Sequence, residues 1–204
     1  LAGPIISFFQ AGVAGFIYIK SPGRRLIDLF WLWFAILGFN NAIGYLLTGP
    51  IFKAGDIGKA YQLLETPATL QIVLALIAAV MLVFLAYKLT DPFLQFCPAK
   101  EWLSSGKLRK KFLFHVLIVP WLVGSAAITI LYLPVIAWIS IIYPIMSGMI
   151  FIFPWQNADS VQNPSPSGSI SVQKLSMPAL LIMIMLIALF RGVLAAGVEL
   201  SELL

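Results

Sequence analysis

The sequence predicts an all-α polytopic membrane bundle of about six helices. Three observations predict it: composition, the length of the apolar runs, and the placement of the charges. Of the 204 residues 61% are hydrophobic and only 10% are charged, against about 25% charged in a soluble domain. The apolar runs approach or exceed the roughly 20 residues that cross a hydrocarbon core about 30 Å thick. The charges punctuate these runs and are nearly absent inside them.

Residues 1–19 form the first run, closed by Lys20. It lacks the basic start and small-residue cleavage site of a signal peptide and reads as a crossing. Because it opens without Met, the chain is expected to be a piece of a longer protein. The runs 26–48 and 69–87 supply the second and third helices. Residues 112–153 are long enough for two, and Leu133-Pro134 divides them, since proline lacks an amide donor and biases its predecessor away from helix. Helices over 112–132 and 135–153 therefore form a hairpin, and 177–198 is the sixth run. Polar links remain at 20–25, 49–68, 88–111 and 154–176; the last contains NPSPSGS, too polar and too broken to pack.

The net charge is +5. The basic residues stand beside membrane segments and form no nucleic-acid surface. Lys20, Arg24 and Arg25 fill one link; Lys88, Lys100, Lys107, Arg109, Lys110 and Lys111 outweigh Asp91 and Glu101 in another. By the positive-inside rule both links are cytoplasmic, in a bacterial inner membrane or a plasma membrane, and 49–68 lies on the far side. Lys107, Arg109, Lys110 and Lys111 would attract anionic lipid by about 1 kcal/mol per charge. Partner helices or a membrane-protein substrate are the other expected contacts. A single cysteine, Cys97, excludes an internal disulfide and a thiolate metal cage.

The chemically informative stretch is 39–60, FNNAIGYLLTGPIFKAGDIGKA. Asn40, Asn41 and Asp56 are polar groups of the kind that a bilayer tolerates where they face a bundle interior or a cavity. Two readings stand side by side. The asparagines are hydrogen-bond glue between helices, worth about 1 kcal/mol each, and Asp56 caps a short helix; or a glycine-flanked turn presents Asp56 inward, with an asparagine nearby, to hold a metal. His115, at the interfacial end of its run, is either a hydrogen-bonded edge residue or a relay or metal ligand. Arg191, about fourteen residues into an apolar run, should seek a carboxylate such as Asp28 or Glu199, or snorkel.

Gly55-Asp56-Ile57-Gly58-Lys59-Ala60 resembles the Leu-Asp-Gly-Gly-Arg-Ala signature of the site-2 protease family of intramembrane zinc metalloproteases. Ala2-Gly3-Pro4 with Gln10-Ala11 resembles the segment that follows that family's catalytic helix, and the two occur in the family's order. The resemblance implies that Asp56 is the third zinc ligand, completing a site whose two histidines and glutamate come from an upstream HExxH helix. This sequence contains no HExxH. The fragment alone is therefore expected to hold no zinc and to be inactive, with zinc and a peptidase activity belonging to the full-length protein. The competing class is a non-enzymatic membrane assembly subunit or a transporter-like protein using Asn40, Asn41, Asp56 and Arg191 in a polar pathway.

Overall fold

The computed structural model describes residues 2–21, 25–132, 139–161, 177–189 and 191–192. Among them every regular element is helical. Four helical stretches are long and apolar enough to cross a membrane: Ala2–Lys20, Leu26–Thr48, Ala68–Leu94 and Gly106–Leu131.

Helices α1 (Ala2–Lys20) and α2 (Leu26–Thr48) form an antiparallel hairpin. Gly38 makes it close: a Cβ there would stand 2.8 Å from the Ser7 carbonyl and 2.9 Å from the Ala11 nitrogen. Small residues allow this approach in a bilayer, where lipid is as apolar as leucine and packing drives association. Gln10 fixes the register by donating to the Phe34 carbonyl at 3.0 Å. At the start of α2, Asp28 is buried and accepts the Arg25 amide at 2.8 Å and the Ser21 hydroxyl, closing the first turn of the helix as an acidic N3 residue does.

The 49–68 link is not a plain loop. It contains α3 (Asp56–Leu63), which folds back on the end of α2. The corner depends on Gly58, where any Cβ would collide with the Phe52 carbonyl oxygen and the Lys53 backbone. Then α4 (Ala68–Lys88) returns along the bundle and runs almost directly into α5 (Thr90–Leu94). The 88–111 link is likewise mostly ordered, with a 3₁₀ turn at Lys100–Leu103 and α6 (Gly106–Leu113).

A π turn, Phe114–Ile118, joins α6 to α7 (Val119–Tyr132) in one continuous rod. The wider turn lies just ahead of Pro120, whose ring would otherwise press on the carbonyl four residues back. The expected Leu133-Pro134 break lies outside the described residues. The expected helix at 135–153 is instead broken: α8 (Ile139–Ser147), a 3₁₀ turn at Gly148–Phe151 and α9 (Ile152–Gln156). Pro144 sits inside α8, and its carbonyl accepts from Trp121 Nε1 at 3.2 Å, Ser125 at 3.1 Å and Ser147 at 3.0 Å. The two donors from α7, Trp121 and Ser125, hold α8 against it. A 3₁₀ turn at Asn157–Asp159 follows, and 162–176, most of the polar link, lies outside the described residues. The last described helix is α10 (Met177–Leu189), exposed along most of its length.

The tightest packing gathers at the end of the bundle where α1 and α4 finish and α2 and α6 begin. Phe93, Leu94, Phe96, Cys97, Leu113 and Phe151 are essentially inaccessible there, against Tyr18, Leu32 and Ile36. The basic links sit at this end. Arg109 donates to the carbonyls of Leu103 and Val161, and Lys110 pairs with Asp159.

Candidate functional site

The other end, where α2 finishes and α1 begins, is built differently. A cavity of about 510 Å³ opens there, lined by Asn41, Tyr45, Thr48, Asp56, Tyr143 and Pro144 among others. A second, of about 440 Å³, lies beyond it toward Trp121 and Ser125 and shares the walls Asn41, Ile128, Tyr143 and Pro144.

Each polar lining group has a position dictated by its element. Asn41, Tyr45 and Thr48 recur at spacings of four and three on α2 and so share one face. Asn41 is committed at both ends: its amide donates to Ser7 Oγ at 2.6 Å, and its oxygen accepts from the Tyr143 hydroxyl. Asn40 donates to the Ser147 carbonyl at 2.8 Å. The asparagines are thus the interhelical glue of the first reading, tying α2 to α1 and α8. Thr48 turns its hydroxyl back to the Gly44 carbonyl at 3.0 Å.

Asp56 is the first residue of α3, and Gly55, in extended backbone, precedes the helix. The expected cap is not formed by Asp56; its carboxylate makes no hydrogen bond among the described residues. A Cβ on Gly3 would stand 2.9 Å from Asp56 Oδ2 and 2.8 Å from the Tyr45 hydroxyl. The two short motifs, Ala2-Gly3-Pro4 and Gly55-Asp56, therefore meet, and both oxygens pack against Gly3 in the first turn of α1. Tyr61, one helical turn further along α3, is buried with its hydroxyl unpartnered among the described residues, and burial pushes its phenol up from the usual value. Its ring packs where a Gly49 Cβ would be, 2.9 Å away, and keeps α3 against α2.

His115 and Arg191 do not join this site. His115 is exposed on the π turn, near the opposite end, with Nδ1 2.7 Å from the Lys111 carbonyl. Arg191 reaches the Ile130 carbonyl at 3.2 Å. Its expected partner Asp28 is held by Ser21 and Arg25 at the basic end, and Glu199 lies outside the described residues.

A zinc centre takes three or four protein ligands. Among the described residues no three His, Cys, Asp or Glu side chains gather, and Asp56 offers one carboxylate. These residues by themselves do not fit a zinc ion. What they form is a largely apolar cleft with a free carboxylate and a phenol at one spot. Tyr45 and Tyr143 were invisible to sequence reasoning because a tyrosine in an apolar helix resembles any other aromatic. The signal available was Tyr45 lying one turn after Asn41 and one turn before Thr48. Searches of protein-family models, characterised proteins and solved structures find no match to this chain.

Proposed function

We propose that this chain is the membrane domain of an intramembrane metalloprotease, to which it contributes Asp56 and the surrounding cleft. The observation that carries this reading is the convergence of Ala2-Gly3-Pro4 with Asp56. Segments 50 residues apart in sequence that resemble two parts of one catalytic signature lie against each other in space. The cleft would seat an apolar peptide, limit water, and present the carboxylate. The other metal ligands would come from an HExxH helix outside this sequence. In this reading the chain crosses the membrane six times, α8–α9 and α10 included, with the basic links cytoplasmic and in contact with anionic lipid.

The test is to determine the coding sequence upstream of Leu1, express the whole reading frame, and measure bound zinc in the parent and in Asp56→Ala. Stoichiometric zinc in the parent and loss in the variant support the proposal. An upstream region without a His-Glu-x-x-His helix, or zinc indifferent to Asp56, overturns it.

A further inference from the structure

We propose that Tyr45 is the hydrogen-bond donor of the Asp56 cleft, its hydroxyl taking the carbonyl oxygen of a peptide amide laid in the cavity that the two residues line. This rests on the peptidase reading of the cleft but assigns a role that the resemblance does not supply. Four observations carry it. The Tyr45 hydroxyl lines the cavity and makes no hydrogen bond among the described residues, whereas the asparagine, threonine and second tyrosine around it are already committed. It stands beside Asp56 Oδ2, both oxygens packing on Gly3. A side chain on residue 3 would push both oxygens away, so this pairing needs glycine there. The cleft is otherwise apolar, and in such surroundings a polar ligand atom without a partner binds poorly.

A donor and an acceptor therefore stand side by side on the wall of the cleft. A phenolic O–H can donate to the carbonyl, polarising it, while the carboxylate lies beside the same group. Neither Asn40 nor Asn41 can do this without releasing α8 or α1. Gly3 is a positioning residue: a methyl there would displace both oxygens, and because they are the ends of side chains the helix itself need not move.

The experiment measures equilibrium binding of N-acetyl-Leu-Leu-amide, a metal-independent probe, to the purified full chain in detergent, for the parent and for Tyr45→Phe, Gly3→Ala and Asp56→Asn. Thermal unfolding of each is followed in parallel. The proposal expects Tyr45→Phe to weaken binding about three- to tenfold, the range for one net hydrogen bond, and Gly3→Ala to weaken it as well, with unfolding unchanged in both. Binding weakened by Asp56→Asn and not by Tyr45→Phe overturns the Tyr45 assignment and leaves the cleft as the peptide site. No saturable binding by the parent overturns both the assignment and the peptide reading of the cleft.

Discussion

The two ends of the bundle are opposites in construction. At the basic end, large side chains close on one another: Phe93, Phe96, Leu113 and Phe151 are almost wholly excluded from solvent and lipid. Tilted and edge-on ring contacts join them, with the Trp33 and Phe151 centroids 4.5 Å apart. At the Asp56 end the contacts are made by glycines and short polar side chains, and two cavities remain between them. A dense core is where stability resides, since each buried methylene is felt there. A loose, glycine-lined end can hold a ligand, because space and uncommitted polar groups coincide. Fold and site are thus separable along the bundle axis.

The largest expected effect is at the dense end. Phe93→Ala leaves a cavity in the tightest part of the core and should cost about 3–5 kcal/mol, read as a lowered thermal midpoint in detergent. Cys97 reports on the same region. It is the chain's only cysteine and is fully buried beside Phe93 and Phe96, and burial pushes its thiol up. Below pH 8 it should react with iodoacetamide only on opening, so Phe93→Ala should accelerate labelling while Tyr45→Phe should not. Equal acceleration by both would break the separation of the two ends. The sign for pH is set by the same shift: a thiol raised in the folded state contributes fully below the unfolded value and loses that contribution as pH rises through the folded one.

An intermediate effect belongs to the seam that carries the site. Gly38→Ala places a methyl against the backbone of α1, which cannot move locally, and should cost about 1–3 kcal/mol as overpacking. It should also disturb the Ser7–Asn41 bond. Tyr143→Phe removes the tie from α8 to Asn41 and should cost about 1 kcal/mol. If peptide binding rises with that loss, the wall between the two cavities is an adjustable part of the cleft.

The four long apolar helices were legible because length and apolarity are direct consequences of the bilayer. The bounds of α2 follow from Arg24 and Arg25 before it and Gly49-Pro50 after it. The irregular parts were not. A short helix at Asp56 was one of the two readings of its stretch, but its eight residues carry no clear periodicity, and its placement against α2 comes from the close approaches at Gly58 and Gly49. The division of 139–156 depends on three donors to the Pro144 carbonyl, two of them from α7, which no local pattern reveals. At the site, Asp56 was legible by resemblance and the asparagines by their cost in a bilayer. Tyr45 was not, because its meaning arises from Gly3, 42 positions away, and from its neighbours being already bonded.

The smallest expected effect comes from the most conspicuous ion pair at the dense end. Lys110 and Asp159 join α6 to the 3₁₀ turn after α9, and both are substantially exposed, 38% and 56%. Water and salt therefore screen them, and holding two side chains in one geometry offsets much of the attraction. A double-mutant cycle on Lys110→Met and Asp159→Asn should give a coupling below about 1 kcal/mol that shrinks at high salt. The attachment of this segment rests instead on the direct bonds of Arg109 to the Leu103 and Val161 carbonyls and of Trp155 to the Lys110 carbonyl. Arg109→Met should thus destabilise more than either charge of the pair. A coupling of several kcal/mol, insensitive to salt, would mean that charge pairing holds the dense end together as much as its aromatic core.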